Sequence, residues 1–376
     1  MPKEGLVPRS YPLFLVAILS AGGWYFTKGP GAGKFGEFFA TVTQGQFGAQ
    51  GQTGGGPYAP TGSYGNNGSY SNYQTQPAAA QMPGNYGAQP VAATPAPPTP
   101  MFGGPAIRIA SYNIQVFGDA KASKPYVMAT LAAIVQQFHV VAIQEIRTQD
   151  DYFLDNFLRT YVNVNGRAYD KVVGPRLGRS NSTEQYAFLY DTAAIEVNRG
   201  SIFTVNDPED LLHREPLVAM FRVRGPPPEQ AFTFVLVNIH TDPDQAQAET
   251  STLALVYQAV RRASNGEDDI IVLGDLNVDD KHLGELGRLD GVQPIVRGVF
   301  TNTKQNAQYD NIIRHQPSTT EFSGRWGVYD VQRLHNLTLD QALQVSDHLP
   351  IWAEFSAYES ATPGRVATRN PNARVQ

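Results

Sequence analysis

The chain has 376 residues, of which 41% are hydrophobic, so it is long enough for one large folded domain or two small ones. It contains no cysteine, which excludes disulfide bonds, a thiolate nucleophile and a cysteine-ligated zinc site. The formal net charge of −5 excludes a general attraction to nucleic acid, so a polyanion would have to be bound by local arginines.

An uncharged apolar segment lies near the amino terminus, at residues 12–26. This length of about 15 residues is shorter than the roughly 20 that a transmembrane helix needs. Three interpretations remain open: a secretory signal peptide, an uncleaved membrane anchor and a buried helix. We favour the anchor, because Leu19 fits a signal-peptidase site poorly and Trp24 is typical of a membrane interface. Residues 1–30 are therefore predicted to give membrane association, or secretion if the segment is cleaved.

The next segment, residues 31–104, is predicted to be a disordered linker. Residues 38–107 contain no Asp, Glu, Lys or Arg and are rich in Gly, Gln, Ser, Asn, Ala and Pro, with tyrosines spaced among them. Such a composition cannot bury enough apolar surface to offset the conformational entropy of the chain. A spacer is favoured over a self-associating segment. The polar residues 358–376 are likewise predicted to be a disordered tail.

Between them, residues 105–357 are predicted to form one folded domain with alternating strands and helices. Short apolar runs predict strands at 107–114, 140–146, 186–190, 217–223, 232–239, 270–273, 311–314 and 349–355. Helical spacing of apolar residues predicts helices at 123–138 and 244–263. This alternation predicts a layered α/β or α+β architecture.

The stretch IIVLGDLNVD, at 270–279, combines a buried strand with two oxygen-bearing side chains, Asp275 and Asn277. On an extended backbone, residues two apart point in the same direction. A carboxylate and an amide projecting together suit a hard divalent cation or a phosphate. The alternative is a simple turn that closes the strand.

Other predicted strands also end in polar side chains, and together these form a candidate site. They are Asn113, Gln144, Glu145, Arg147, His240, Asp242, Asp310, Asp347 and His348. Oxygen ligands of this kind favour Mg²⁺, Mn²⁺ or Ca²⁺ over zinc. A hard cation with two histidines suits phosphodiester hydrolysis, which needs one proton removed from water and one given to the leaving oxygen. The remaining histidines lack a comparable acidic setting and are predicted to be structural: His139, His213, His282, His315 and His335.

The motifs around these residues resemble the endonuclease/exonuclease/phosphatase superfamily, and within it most closely deoxyribonuclease I. In chain order they are SYNIQVFG, AIQEIR, GPRLGRSNSTEQYAFLY, REPLVAMF, VNIHTDP, LGDLNVD, QYDNII and SDHLPIWAEF. The resemblance implies a four-layer sandwich, in which two packed mixed β-sheets are flanked by helices and the site lies at one edge of the sheets.

The resemblance also implies metal and phosphate ligands. Glu145 would bind the catalytic cation, which is Mg²⁺ with Mn²⁺ or Ca²⁺ as alternatives, and Asn113 and Asp347 would lie near it. Asp275 and Asn277 would hold the metal or the scissile phosphate.

The same resemblance implies an acid, a base and a DNA surface. His240 paired with Glu184 would protonate the leaving oxygen, and His348 paired with Asp310 would activate water. The residues expected to contact DNA are Arg147, Arg214 and Arg179.

The sequence departs from deoxyribonuclease I in three ways, of which the second and the third below are expected to weaken binding to duplex DNA. It lacks cysteines, it has no aromatic residue between Arg179 and Glu184, and Gln115 stands where the family has an arginine. The predicted function is a metal-dependent endonuclease with a monomeric catalytic domain. A phosphomonoesterase or phospholipase-like hydrolase is the alternative, although residues 278–279 differ from the Tyr-Arg of the phosphoinositide phosphatases. An inactive tethered scaffold is a lesser alternative, because the acid, base and metal positions are intact.

Overall fold

The computed structural model describes residues 105–179, 183–264 and 266–360. The predicted anchor or signal segment, the predicted linker and residues 361–376 of the predicted tail lie outside the described residues. Within the described residues, no helix is long and apolar enough to cross a membrane.

Across the described residues, twelve strands form two six-stranded sheets. The strands are β1 (Ala106–Phe117), β2 (Val140–Ile146), β3 (Tyr169–Val173), β4 (Gln185–Asp191), β5 (Ile195–Thr204), β6 (Leu217–Val223), β7 (Thr233–His240), β8 (Ile270–Asp275), β9 (Val292–Pro294), β10 (Asp310–His315), β11 (Phe322–Val328) and β12 (Ile351–Ser356). The first sheet has the order β11-β12-β1-β2-β4-β3 and the second β5-β6-β7-β8-β10-β9. The pairs β1–β2 and β7–β8 are parallel and the other pairs are antiparallel, so both sheets are mixed.

The helices lie on the outer faces of the two sheets. They are α1 (Asp119–Ala122), α2 (Pro125–Val135), α3 (Phe153–Phe157), α4 (Ala246–Ala263), α5 (Gly284–Arg288), α6 (Val331–Leu334) and α7 (Leu339–Val345), and a π-helical turn, Leu158–Val162, continues α3. Helix α2 is shorter than predicted at both ends and begins at Pro125, whose fixed φ suits the first helical position.

Three apolar cores separate four layers. Phe188, Phe221 and Phe234 pack between the sheets, with ring centroids 5.4 and 5.7 Å apart. Leu131 of α2 packs on the outer face of the first sheet, and Val256 of α4 on the outer face of the second. The order helix–sheet–sheet–helix confirms the predicted four-layer sandwich.

The two ends of the described domain meet on one side of the sandwich. The Ala357 amide donates to the Pro105 carbonyl at 2.9 Å, and the Glu359 amide donates to the Gln230 carbonyl at 2.9 Å. The Ser360 amide donates to Glu321 Oε1 at 2.7 Å. Residues 358–360, the first three of the predicted tail, therefore still contact the folded domain.

The opposite side of the sandwich brings the polar strand ends together. In the second sheet, His240 at the end of β7 pairs in register with Asp275 at the end of β8, and Asp310 at the start of β10 faces Asp275 from the other side. Gly274 has φ +151°, and a Cβ there would lie 1.8 Å from the Ile239 carbonyl oxygen. Only glycine therefore allows β7 and β8 to approach so closely at the site.

Candidate active site

Asp275 is the centre of the site. Its Oδ2 atom accepts a hydrogen bond from Asn113 Nδ2 at 2.9 Å and lies 3.5 Å from both His240 Nε2 and His348 Nε2. Its Oδ1 atom accepts from the Asn277 amide at 3.0 Å. The side chain is almost fully buried. A single carboxylate therefore has an imidazole on each of two sides.

Each imidazole has a second carboxylate on its other nitrogen. His240 Nδ1 lies 2.9 Å from Glu184 Oε1, and His348 Nδ1 lies 2.9 Å from Asp310 Oδ2. Both acids are fully buried, while the side chains of His240 and His348 remain 6% and 11% exposed. Each carboxylate fixes the ring orientation and leaves Nε2 facing Asp275. We call these five residues, together with Asn113, the carboxylate–histidine cluster.

The charges of this cluster shift its pKa values. Burial opposes a charge on His240, but its hydrogen bond and charge interaction with Glu184 outweigh burial and raise the pKa of the imidazole. Burial also opposes a charge on His348, yet Asp310 and Asp275 raise its pKa to about 10. Burial would raise the pKa of Asp275, but His348 and His240 together lower it. Without a bound cation, His348 therefore holds a proton at neutral pH, and His240 is shifted toward the same state.

Oxygen atoms on one side of Asp275 fit a divalent cation. Asn113 Nδ2 bridges Asp275 and Glu145 Oε1, the latter at 3.3 Å, while Asn113 Oδ1 is buried and has no hydrogen-bond partner within the described residues. Glu145 has φ +62° and Val116 φ +47°, and the Val116 amide donates to Glu145 Oε2 at 2.9 Å. Left-handed backbone at two non-glycine residues is strained and is typical of a functional site. The donor set fits the predicted hard cation.

Asp275 itself offers a second candidate position for the cation. Ligand atoms of Asp275, Asp310 and His348 lie within 4.8 Å of one another. Asp347, which was predicted to lie near the metal, accepts a hydrogen bond from Gln115 Nε2 at 2.8 Å. Gln115, the residue that replaces the family's arginine, therefore positions a predicted ligand.

Asn277 does not adopt the predicted geometry. Strand β8 ends at Asp275, and Asn277 has φ +50°, which is left-handed rather than extended. Its Nδ2 atom donates to the Thr241 carbonyl at 3.0 Å. The prediction that the two side chains project in parallel from one strand is therefore wrong, because the chain turns directly after Asp275.

Arg214, which was predicted to contact DNA, lies behind the site and has only 7% of its side chain exposed. Its Nε atom donates to the His240 carbonyl and an Nη atom to the Thr241 carbonyl, both at 3.1 Å. Nε also lies 3.5 Å from Glu184 Oε1. A DNA contact does not fit this position, because the guanidinium is used within the domain to hold His240 and Glu184.

The other two arginines remain at the surface. Arg147 is 26% exposed and lies 3.3 Å from both Glu145 Oε2 and Glu184 Oε2, so it borders the predicted metal ligand and the partner of His240. Arg179 is 40% exposed and pairs with Asp210 at 2.8 Å. Their positions are compatible with the predicted DNA contacts.

Two supporting residues were missed by the sequence analysis. The Tyr186 hydroxyl accepts from the His240 amide at 3.0 Å. Ser346 Oγ donates to the Asn113 carbonyl at 2.7 Å and accepts from the His348 amide at 3.2 Å. Each lies two residues from a cluster member, and that spacing was the only signal in the sequence.

Comparison with known proteins identifies relatives over this whole region. The Endonuclease/Exonuclease/phosphatase family matches residues 110–348. Deoxyribonuclease-1-like 1 of Sus scrofa is 30% identical over 283 residues, which are 71% of this chain and 86% of that protein. Deoxyribonuclease gamma of Rattus norvegicus is 29% identical over 282 residues, covering 70% and 89%. A crystal structure of an endonuclease/exonuclease/phosphatase family protein from Bacteroides thetaiotaomicron has a TM-score of 0.49 and 18% identity, and the match covers 66% of this chain and 94% of that one. The family match contains every residue of the carboxylate–histidine cluster.

Proposed function

The chain belongs to the endonuclease/exonuclease/phosphatase family, and from that premise we propose that it is a divalent-metal-dependent endonuclease that cleaves DNA. One observation carries the proposal: two imidazoles, each with its own buried carboxylate, face one oxygen of Asp275 at 3.5 Å. Deoxyribonucleases about 30% identical over about 70% of the chain support DNA as the substrate.

The geometry suits proton transfer on two sides of a phosphate. Both Nε2 atoms lie 3.5 Å from the same oxygen, so they are at most about 7 Å apart. His240, held by Glu184, gives its proton to the leaving oxygen. His348, held by Asp310, takes a proton from the attacking water. To accept that proton His348 must be neutral, so the negative charges of Asp310 and Asp275, which raise the pKa of the imidazole, must be offset. A divalent cation held beside them would supply that offset.

Glu145, Asn113 and Asp347 would hold the cation, with Asp275 shared between the cation and the phosphate. The bound ion would neutralise charge on the phosphoryl oxygens. Mg²⁺ is the proposed ion, with Mn²⁺ or Ca²⁺ as alternatives, because the ligands are oxygen atoms. Asn113 has one further role: its amide nitrogen donates to both Glu145 and Asp275 and so fixes the two carboxylates relative to each other.

Contacts with DNA are proposed for Arg147 and Arg179, which remain partly exposed. Each is paired with a carboxylate, so binding a phosphate must compete with an existing ion pair. Since no aromatic residue lies between Arg179 and Glu184 to stack in the minor groove, we expect single-stranded DNA to be cut within about tenfold of duplex.

The proposal is tested by offering the full-length chain, with Mg²⁺ or Mn²⁺, a plasmid, single-stranded DNA, RNA and an inositol phospholipid. We expect nicked and then linear plasmid, and no cleavage in excess chelator. His348→Ala is the inactive control. His282→Ala is the matched active control, because the His282 ring is exposed and pairs with Asp279 outside the site. Hydrolysis of the lipid with the plasmid left intact would replace the endonuclease by the phosphatase-like alternative.

A further inference from the structure

Four carboxylates meet on the side of the sandwich opposite to the active site. Asp269 directly precedes β8, whose last residue is Asp275, so the strand separates the two acids by roughly 20 Å. Glu267 lies two residues earlier. Glu321 directly precedes β11, and Glu359 lies three residues after β12. The second sheet thus supplies two acids and the first sheet the other two.

These side chains are close enough to share one ligand. Ligand atoms of Asp269, Glu321 and Glu359 lie within 4.8 Å of one another. The Thr233 hydroxyl donates to Glu359 Oε1 at 3.1 Å and also to Glu267 Oε2, which joins the fourth carboxylate to the group. We call Glu267, Asp269, Glu321 and Glu359 the acidic cluster.

Two members of the acidic cluster are buried, and within the described residues one oxygen atom of each has no partner. Asp269 is 3% and Glu321 2% exposed. Asp269 Oδ1 and Glu321 Oε2 are fully buried, and within the described residues neither has a hydrogen-bond partner. No Lys, Arg or His of the described ranges lies within 4 Å of a carboxylate of the cluster. Buried carboxylates without a counter-charge are strongly unfavourable, so the arrangement calls for a cation.

Within the part of the chain that the structure describes, the neighbouring arginine does not supply that cation. The charges of Glu321 and Asp269 act on Arg314 and favour its protonated form. Its guanidinium, however, donates hydrogen bonds to the carbonyls of Gln316 and Thr319, at 3.2 and 2.9 Å. Burial raises the pKa of Asp269, and repulsion by Glu321 adds to the shift. Burial also raises the pKa of Glu267, to about 7. Without a bound ion, these raised pKa values favour the protonated forms of Asp269 and Glu267.

We propose that Asp269, Glu321 and Glu359 bind a structural Ca²⁺ ion. Ca²⁺ accepts six to eight oxygen ligands in irregular geometry, whereas Mg²⁺ demands a small regular octahedron. The cluster offers only oxygen ligands, which disfavours zinc. The ion joins the start of β8 in the second sheet to the start of β11 and the end of β12 in the first, beside the hydrogen bond between Ala357 and Pro105. Its role is to clamp the two sheets at the side where the chain enters and leaves the domain.

The test measures calcium binding and thermal unfolding of the full-length chain after treatment with chelator. The double variant D269N/E321Q removes two charges and keeps the side-chain shapes. The matched control is D155N/E285Q, which also removes two charges, but from exposed carboxylates outside both sites. For the parent and for this control we expect Ca²⁺ at about 100 times its Kd to raise Tm by roughly 5–10 °C. The double variant loses this rise and binds one Ca²⁺ fewer than the parent in equilibrium dialysis.

Equal stoichiometry and an equal rise in Tm for the parent and the double variant would overturn the proposal, because calcium would then act elsewhere. A chelated parent that gains no stability from Ca²⁺ would overturn it too, and would show that the acids share protons only. If the double variant does not fold, Glu359→Gln replaces it, because Glu359 is only half-buried. That variant is expected to weaken the calcium affinity at least about tenfold, and an unchanged affinity counts against the site. Neither calcium binding nor Tm depends on nuclease activity. Failure of the calcium proposal would therefore leave the endonuclease proposal unaffected.

Discussion

Replacing Arg214 by alanine distinguishes a DNA-binding arginine from one that holds the active site together. Arg214→Ala removes the donors to the carbonyls of His240 and Thr241 and the nearest guanidinium to Glu184 Oε1, at 3.5 Å. Glu184 is fully buried, so its charge would lose compensation in a place that water does not reach. Since Arg214 lies behind His240, the structure assigns it a positioning role.

The expected loss of stability is large. Breaking a buried ion pair by removing one partner costs about 3–5 kcal/mol, and each unpaired carbonyl adds to the penalty. We therefore expect the free energy of unfolding to fall by about 3–5 kcal/mol, which corresponds to a decrease in Tm of roughly 6–20 °C for a domain of this size. The slope of DNA binding against salt should remain that of the parent, because no phosphate contact is lost.

The measurements are thermal unfolding and the salt dependence of plasmid cleavage, with Arg179→Ala as the matched control. Arg179 is 40% exposed and its partner Asp210 is 71% exposed, so the ion pair contributes at most about 1 kcal/mol. An Nη atom also donates to the Leu212 carbonyl at 3.0 Å, so Arg179→Ala should lower Tm, but by less than Arg214→Ala. It should reduce the salt slope by about one. An Arg214→Ala protein with the parent's Tm and a reduced salt slope would refute the buried, positioning role.

Three further predictions follow from the same structure. Glu145→Gln should lower the cleavage rate by about 10²-fold or more at saturating Mg²⁺, and full activity of the parent in excess chelator would contradict the metal assignment. In chelator, Tm should fall as pH rises from about 4.5 to 7, because the raised pKa of Glu267 means that the folded state binds more protons than the unfolded state; a pH-independent Tm would show that the acidic cluster does not titrate there. Deleting residues 31–104 should leave specific activity and Tm unchanged, and a large loss of either would mean that this segment docks on the domain.

The eight inner strands of the two sheets were predictable from sequence, and the four edge strands were not. Strands β3, β5, β9 and β11 lie at the ends of the two sheet orders. An inner strand is buried on both faces and reads as an apolar run, as in β8, where every residue is buried. The edge strand β11 has a single buried residue. Its sequence therefore lacks the apolar signal, and only pairing with β12 makes it a strand.

The site residues that lie in sequence motifs were predicted. Contacts between segments that are distant in sequence were not. His240, Asp275 and Asp310 come together because each lies at the end of a strand in one sheet. The burial of Arg214 could not be predicted, because the Arg-Glu-Pro motif does not indicate whether its arginine is exposed or buried. The acidic cluster gave no signal either, because its members come from separate loops of both sheets.

The central claim is that the two imidazoles act separately, His240 as acid and His348 as base, and the leaving group tests it most directly. On DNA, His240→Ala and His348→Ala should each lose roughly 10²–10⁴-fold in rate. On bis(4-nitrophenyl) phosphate the leaving nitrophenolate needs no proton, so His240→Ala should lose less than about tenfold, while His348→Ala keeps its full loss. His282→Ala should match the parent on both substrates. The assignment would be contradicted if His240→Ala lost the same factor in rate on both substrates. It would also be contradicted if His348→Ala, rather than His240→Ala, regained its rate on bis(4-nitrophenyl) phosphate.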